Sequence, residues 1–338
     1  MQLFIGQDAQ GNDVTLGVSA MFAGVPFYLP AILGTVWHVC PSTGDDDNTG
    51  LTPDAAFKTL AKALAAATAG KNDIVILHGE SNTSASTTDY QDATLDWNKD
   101  MVHLIGSNCG PSVSQRSRVA FSSDYDTASN LFTLSANGCL IMNISFFAGV
   151  AGTNPVGCFK VTGQRNVVRN CHLAGIGNDN NDIADAYSLR LSGASENVFD
   201  NCTIGLDTIA AGTAANHEMV VDTAATRNRF IDCLFLRLIE SATNHPLVQL
   251  TGATAIDRWL WFKRCLFLSM STNYAVAQSG VFKMTAAITQ GEVILEECDA
   301  TAGDHSSVVK WDVGDNDKIT LFNRALTPAD TAGLPRMV

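Results

Sequence analysis

Five cysteines in the second half of the chain recur at nearly constant spacing, and this repeat constrains the fold more than any other feature of the sequence. Successive cysteines lie 31, 31, 32 and 33 residues apart. The surrounding segments NVVRNCHL, NVFDNCTI and NRFIDCLF match closely, while LWFKRCLF and VILEECDA keep the pattern less strictly. A structural unit repeated at this period predicts a solenoid in which each repeat packs on its neighbours. The cysteines are Cys171, Cys202, Cys233, Cys265 and Cys298.

Each repeat places apolar residues three positions before its cysteine and two positions after it. Side chains alternate faces along a strand, so two residues three positions apart cannot both point inward unless the chain turns between them. The two residues just before each cysteine are polar in every copy except at Ile231. This pair is therefore predicted to form a corner between two inward-facing strands.

A further apolar segment precedes each cysteine segment, so each repeat supplies about three short strands. No helical apolar stripe of a dozen residues or more occurs between Ala120 and Arg324. The sequence therefore predicts an all-β fold, a right-handed, single-stranded parallel β-helix. The additional strands are predicted at Leu131–Leu134, Cys158–Val161, Tyr187–Leu191, Met219–Val221, Leu247–Leu250, Val281–Met284 and Val308–Trp311.

Stacked repeats would align like side chains at roughly 4.8 Å. Asn166, Asn197 and Asn228 are then expected to form a ladder of amide hydrogen bonds. The five repeated cysteines would form a parallel column. Their spacing exceeds the roughly 3.5 to 4.5 Å between Cβ atoms that a disulfide prefers, so free buried thiols are favoured over disulfides or a metal site.

A capping helix is predicted before the first coil, with Thr52 as N-cap, Pro53 in its first turn and Gly70 at its end. The compact apolar segment Ile74–Leu77 would then begin the first strand. A cap of this kind would cover the open, apolar end of a solenoid. The apolar face of the helix is predicted to consist of Phe57, Leu60, Ala61 and Leu64.

The segment Gly17–Val39 contains no Asp, Glu, Lys or Arg, a length that could nominally span a bilayer. Pro26, Pro30 and three glycines oppose a helix there, so an extended docking arm is favoured over a membrane segment. The predicted regions are an extended arm (1–36), a capping loop and helix (37–72), the β-helix (73–325) and a C-terminal tail (326–338). The predicted docking residues are Phe4, Phe22, Phe27, Tyr28 and Trp37.

The formal charge of −13 argues against binding to nucleic acid, because such proteins neutralise phosphates with clustered Lys and Arg. The nine cysteines are an odd number without a CxxC pair, and the N-terminus lacks a basic start and a cleavage site. These features favour folding in a reducing cytoplasm over a secreted disulfide scaffold.

No catalytic, cofactor or metal site is assigned from the sequence. Counting Asp45 as the first position of an EF-hand loop places Ala56 where a bidentate Glu is needed, so the acidic loop is interpreted as a turn. Polysaccharide cleavage would need converging carboxylates. Two acidic groups are candidates for that role, but acidic residues in turns are ordinary, so both are interpreted as turn residues: Asp179, Asp182 and Asp185, and His217, Glu218 and Asp222. Three tryptophans could stack on sugars or form an oligomer interface: Trp259, Trp261 and Trp311.

The loop and helix before the first coil resemble those of the pectate-lyase-like right-handed β-helix superfamily. Members often carry a Gly-Asp-Asn-Gly loop followed by Pro, Phe-Lys-Thr and an Ala-rich helix. With the later coils the resemblance spans Trp37 to Ala325. The matching residues are Gly44, Asp45, Asp47, Asn48, Gly50, Pro53, Phe57, Lys58, Thr59, Leu60, Ala63 and Leu64.

The superfamily contains lyases, hydrolases, bacteriophage tailspikes and non-catalytic phage particle proteins, so the resemblance implies a fold more than an activity. The lyases carry a catalytic Arg or Lys near calcium-binding Asp, a constellation that cannot be placed on this sequence. The expected function is a non-enzymatic phage virion protein, a homotrimeric capsid decoration or head spike docked to a virion protein by its arm. It would assemble in the host cytoplasm. The alternative is a tailspike-type protein that binds or degrades a surface glycan.

Overall fold

A computed structural model describes residues 2–7, 13–22, 25–28, 34–79, 88–108, 110–111, 117–122, 129–150, 156–212, 216–240, 245–271, 280–301, 312–313 and 319–322. The chain winds into an all-β parallel solenoid of three sheets, which confirms the predicted β-helix. Every strand pair within these three sheets is parallel, and each strand pairs with the corresponding strands of the preceding and following coils. The predicted strand Val308–Trp311 and the tail 326–338 lie outside the described residues.

The strands follow one another in the order sheet I, sheet II, sheet III, and then return to sheet I in the next coil. Sheet I comprises Leu95–Trp97, Ser129–Leu134, Val156–Val161, Tyr187–Ser192, His217–Asp222, Val248–Leu250, Phe282–Met284 and Asp312–Val313. Sheet II comprises Val36–Val39, Ile74–Leu77, His103–Gly106, Leu140–Met142, Val167–Arg169, Val198–Asp200, Asn228–Ile231, Trp259–Lys263, Glu292–Glu296 and Ile319–Phe322. Sheet III comprises Thr88–Gln91, Arg118–Phe121, Ser145–Phe147, His172–Ala174, Thr203–Ala211, Leu234–Ile239, Leu266–Ser271 and Asp299–Thr301.

The corner between sheets II and III lies where the polar pairs predicted it. The second residue of each pair adopts the left-handed backbone conformation, with φ between 50° and 54°. This reversal lets the residue before the pair and the cysteine after it both face the interior. The five corner residues are Asn170, Asn201, Asp232, Arg264 and Glu297.

In-register stacking fills the interior with columns of like side chains. Phe199, Phe230 and Phe262 pair in register and stack with ring centroids 4.7 and 4.9 Å apart. Phe235 stacks on Phe267 in the same way in sheet III, at 4.7 Å. Each such contact adds about 0.5–1.5 kcal/mol beyond simple burial, so the repeat itself builds the core.

The N-terminal cap differs from its prediction. Pro53–Ala55 forms a short 3₁₀ turn in which the Thr52 side chain makes no capping hydrogen bond. The α-helix is Leu60–Ala66, capped by the Thr59 hydroxyl, which accepts a hydrogen bond from Lys62 N at 3.2 Å. The prediction of one helix from Thr52 to Gly70 was therefore wrong.

The reason is that Phe57 adopts an extended conformation and forms a parallel bridge to Val39. Asp46 then accepts hydrogen bonds from the backbone of Lys58 and Thr59, which fixes the new helix start. Ala61 consequently faces solvent instead of joining the apolar face. The buried face consists of Leu60, Ala63, Leu64 and Ala67.

The N-terminal arm forms a sheet of its own. Its strands Gln2–Gln7, Asp13–Phe22 and Val25–Tyr28 are antiparallel and pair with one another. The first strand of the solenoid is Val36–Val39, which lies at the boundary assigned to the arm and the cap. In the part of the chain that the structure describes, no helix is long and apolar enough to cross a membrane.

Candidate functional site

The three repeated asparagines line up at the turn between sheets I and II. Asn166 N donates to Asn197 Oδ1 at 3.0 Å, and Asn197 N donates to Asn228 Oδ1 at 3.1 Å. Their amide groups donate to backbone carbonyls of the preceding turn, as Asn197 Nδ2 does to Gly163 O at 3.1 Å. All three side chains are fully buried. The ladder therefore satisfies turn amides that the core hides from water.

The repeated cysteines also occupy a structural column. Each thiol donates to the carbonyl of a residue in the coil before it, as Cys202 Sγ does to Val168 O at 3.4 Å and Cys233 Sγ to Phe199 O at 3.5 Å. All eight cysteines that the structure describes are buried thiols. Burial raises the pKa of the Cys171 thiol well above its usual range, so it is a poor nucleophile.

One residue from each of the two acidic groups, Asp182 and Glu218, belongs to a hydrogen-bonded cluster around Arg237, a residue that the sequence did not indicate. Its guanidinium lies 3.6 Å from Glu218 Oε1 and donates to both the backbone and the side-chain oxygen of Asn216. The amide of Asn216 in turn donates to Asp182 Oδ1 at 2.8 Å. Ser188 Oγ completes the cluster by donating to Glu218 Oε2 at 2.6 Å.

This cluster has the residue types of a catalytic centre, but it lies inside the solenoid wall. The Arg237 and Glu218 side chains are only 1% and 3% exposed. Burial raises the pKa of Glu218 and lowers the pKa of Arg237, while their mutual attraction opposes both shifts. Each of the two charged groups is instead held by the other and by a neighbouring polar residue, Arg237 by Asn216 and Glu218 by Ser188.

The remaining members of the two groups have other partners or are exposed. Asp222 is paired with Arg190, and His217 Nδ1 donates to Pro246 O at 2.8 Å. Asp179 and Asp185 are exposed on the loop before the strand Tyr187–Ser192. Among the described residues, no group of three or more His, Cys, Asp or Glu side chains could hold a metal ion.

The acidic loop serves the turn and the cap, in agreement with its interpretation. Asp45 Oδ1 accepts a hydrogen bond from Asp47 N at 3.0 Å. Asp46 accepts from the backbone of Lys58 and Thr59 and from the Thr59 hydroxyl at 2.8 Å. The loop oxygens are thus engaged in fixing the helix start.

Two of the tryptophans form a patch on the outer face of sheet II. The Trp259 and Trp261 rings pack edge to face with centroids 6.3 Å apart. The Arg229 guanidinium lies over both rings, at 5.4 and 5.6 Å. Both rings are half-buried. We call these three residues the tryptophan patch; Trp311 lies outside the described residues.

The proposed docking residues separate into two sets. Phe4, Phe22, Phe27 and Tyr28 lie on the strands of the arm sheet. Trp37 instead packs against the solenoid core, stacks on Phe57 at 5.8 Å and donates from its indole to Asp73 Oδ2 at 3.2 Å. Its ring is therefore engaged within this chain's own cap.

A cleft beside the cap contains a buried carboxyl group that the sequence did not reveal. The cleft has a volume of about 310 Å³ and is lined by Pro41, Ser42, Lys58, Thr59, Thr88, Asp89 and Tyr90. Asp89 lies in the strand Thr88–Gln91, which opens sheet III. Burial and the nearby charge of Asp46 raise the pKa of Asp89 to about 7, although a hydrogen bond from Leu60 N opposes the shift. We call this the cap cleft.

Comparisons with known proteins show a shared fold but no match to a protein family. No family model matches the chain. No curated protein sequence is significantly similar to it. A solved pectin methylesterase mutant in complex with a hexasaccharide superposes with a TM-score of 0.52 at 15% identity, covering 88% of this chain and 94% of the other.

Two further solved structures are more distant. A pectate lyase gives a TM-score of 0.48 at 14% identity, covering 88% of this chain and 82% of the other. ORF18 of Geobacillus virus E2 gives 0.43 at 10% identity, covering 92% and 68%. The chain therefore shares the parallel β-helix fold of the pectin methylesterase, and an identity this low shows the fold alone.

Proposed function

We propose that this chain is a non-enzymatic structural protein of a phage particle, attached through its N-terminal arm. The observation that carries the proposal is the separate arm sheet, whose strands pair with one another in an antiparallel arrangement unlike that of the solenoid. A segment rich in apolar residues that forms its own sheet beside the solenoid suits attachment to a partner. The sequence resemblance of the cap to a superfamily that includes phage particle proteins supports the phage assignment.

The interactions of three carboxylates in the solenoid support a structural role. The carboxylates of Asp182, Glu218 and Asp222 are engaged by neighbouring amides, by Ser188 or by arginines. A catalytic acid or base must instead reach a substrate proton. Purified protein is therefore expected to release no reducing ends or unsaturated products from host polysaccharides.

We propose a homotrimer built on the outer face of sheet III. Phe235 and Phe267 point into the core, so their strand neighbours Leu234, Leu266 and Leu268 point outward. Leu266 is 37% exposed, and no charged residue interrupts this face in the two strands concerned. Self-association of a chain with charge −13 would favour such an uncharged face. Leu266→Glu should reduce the trimer mass to that of a monomer in light scattering, whereas Thr254→Glu should not.

Deletion of residues 1–33 tests the anchoring role, because it removes the arm sheet and leaves the first solenoid strand Val36–Val39 intact. The truncated chain should keep its β-sheet circular dichroism spectrum and its thermal transition. The full chain should co-sediment with phage particles assembled without this protein, and the truncated chain should not. Undiminished binding of the truncated chain would refute the anchoring role.

A glycan-binding role is the second candidate, and the tryptophan patch is the observation that favours it. Aromatic faces beside a guanidinium suit a sugar ring that carries an acidic group. Trp259→Ala should then abolish binding to the host surface polysaccharide while leaving particle attachment unchanged. Equal polysaccharide binding by the wild type and this variant would remove the second candidate.

A further inference from the structure

Two histidines lie against each other on the outer side of sheet II, at its N-terminal edge. His38 belongs to the first strand of the sheet, Val36–Val39, and His78 directly follows the second strand. The neighbouring Val39 and Leu77 point into the core, so the two histidines lie on the outer side. His38 Nδ1 and His78 Nε2 are 2.9 Å apart, and both side chains are half-buried. Ions in solution can therefore reach the pair.

The contact holds one proton between the two rings. A neutral imidazole has one N–H group and one bare nitrogen, so one ring donates and the other accepts. Burial, followed by the charge of His78, lowers the pKa of His38, and this ring is therefore neutral at neutral pH. Neutral imidazole is also the form that binds transition metals. His38 thus has the protonation state that a metal ligand requires.

The separation of the two nitrogens matches that of neighbouring ligands on a metal ion. Imidazole nitrogens lie about 2.0–2.1 Å from such an ion, so two of them at a right angle are about 2.9 Å apart. At a tetrahedral angle they would be about 3.3 Å apart. The distance of 2.9 Å between His38 Nδ1 and His78 Nε2 agrees with the right angle. Right-angled sites of nitrogen and oxygen ligands are typical of Ni²⁺ and Cu²⁺.

The position of the pair in the fold gives such a site a structural consequence. Val36–Val39 is the terminal strand of sheet II and pairs along its length with the second strand. On its other side, a single bridge from Val39 to Phe57 is the only strand pairing among the described residues. Regions with few such contacts open most readily. An ion bound by both rings would join this weakly held strand to the second coil.

We propose that His38 and His78 bind one divalent transition-metal ion of the Ni²⁺ or Cu²⁺ type through Nδ1 and Nε2, with water as the remaining ligands. The ring that donates the hydrogen bond first carries its proton on its other nitrogen, so the pair gains and loses no proton on binding. Both half-buried rings then turn toward one point on the outer side of the sheet. The site lies within one chain and does not depend on the proposed virion role.

Isothermal titration of the full chain with NiCl₂ tests the proposal. One Ni²⁺ should bind per chain. His38→Gln and His78→Gln should each weaken this binding more than about tenfold, because each variant removes one of the two protein ligands. Asp47→Asn, in the exposed acidic loop, is the control and should bind Ni²⁺ as the wild type does. With two histidine variants on different segments, the test remains valid if one of them loses its native thermal transition.

Hydrogen exchange distinguishes an ion that joins the two segments from one held by a single ring. His78 N donates to Val39 O at 2.8 Å and Ile74 N donates to Thr35 O at 2.9 Å, so both amides report opening of the terminal strand. Ni²⁺ at ten times its dissociation constant should slow their exchange about tenfold in the wild type and in neither histidine variant.

Four results would each overturn the proposal. The first is an absence of saturable Ni²⁺ binding, and the second is binding that survives His38→Gln or His78→Gln. The third is binding that is lost with Asp47→Asn, which would place the ion in the acidic loop. The fourth is exchange at His78 N that Ni²⁺ does not slow, because the bound ion would then leave the terminal strand free to open.

Discussion

Arg237 and Glu218 form an ion pair inside the solenoid wall, with Arg237 Nε 3.6 Å from Glu218 Oε1 and both side chains nearly inaccessible. The two residues lie on strands of different sheets, Leu234–Ile239 in sheet III and His217–Asp222 in sheet I. The pair therefore ties two sheets together at the corner where the longer connections of the coil emerge.

Arg237→Met should destabilise the protein by about 3–5 kcal/mol, because it leaves Glu218 buried without its partner. Urea unfolding followed by circular dichroism measures this loss. Arg227→Ala breaks the exposed pair with Glu196 and should cost under about 1 kcal/mol. If the two variants lost equal stability, the buried pair would not be the brace described here. The double variant Arg237→Met, Glu218→Gln should recover part of the loss.

Asn197→Ala should destabilise the solenoid by about 1–3 kcal/mol, because it removes the acceptor for Asn166 N and the donor to Gly163 O in a buried turn. Thermal and urea unfolding both report the change. Gln249→Ala serves as the control, since that half-buried residue stands outside the ladder. An Asn197→Ala transition that coincides with the control would show that the ladder contributes no stability.

The fold was predictable because the repeat encodes it redundantly. The cysteine spacing, the apolar positions and the polar pair all indicate the same coil, and the corner at Asn170 and Asn201 lies where the alternation of side chains required a turn. The asparagine spacing likewise predicted the contacts between Asn166, Asn197 and Asn228. Each of these predictions uses residues that recur in successive repeats. A repeat that departs from the pattern is therefore outweighed by the repeats that keep it.

The cap was less predictable because its helix boundary depends on contacts that are distant in sequence. Thr52 and Pro53 are good helix-starting residues, but Phe57 is held extended by its bridge to Val39. Asp46 then selects Thr59 as the N-cap from 13 residues away. Local propensity cannot anticipate a competing long-range contact.

Arg237 and Asp89 were missed for opposite reasons. Arg237 interrupts the apolar strand LFLRLI, and a charge in such a strand signals a buried partner, although the sequence does not say which one. Asp89 lies in the polar segment TTDYQD, which has the composition of a surface loop. Its burial arises from packing against the cap, which no local pattern reveals.

The contribution of His217 to the stability of the protein should fall as the pH drops below about 6.5. Burial is the main cause that lowers the pKa of His217 to about 4, and the charge of Arg237 adds to it. Because the unfolded chain binds a proton more readily, the stability from this residue is fully present above pH 6.5 and is lost as the pH falls toward 4.

His217→Gln removes this dependence. Between pH 6.5 and 4 the wild type should lose up to about 3 kcal/mol more than the variant, as measured by urea unfolding across the range. His103 and His172 also have lowered pKa values because of burial, and both variant and wild type retain them. Parallel pH profiles would contradict a proton-linked role for His217.

Asp89→Asn should have the opposite pH dependence. The pKa of Asp89 is raised to about 7 in the folded protein, above its ordinary value of 3.8, so the folded state binds the proton more tightly. The stability linked to this proton is fully present below pH 3.8 and is lost as the pH rises through 7. The Asn side chain is uncharged at every pH, as the protonated Asp89 is. The variant should therefore match the wild type near pH 4 and exceed its stability at pH 8 by on the order of 2–4 kcal/mol.

Asp92→Asn, at an exposed neighbour, should follow the wild-type profile. A variant that is less stable than the wild type at pH 8 would mean that the Asp89 carboxylate is ionised and stabilising, and that the cap cleft is charged.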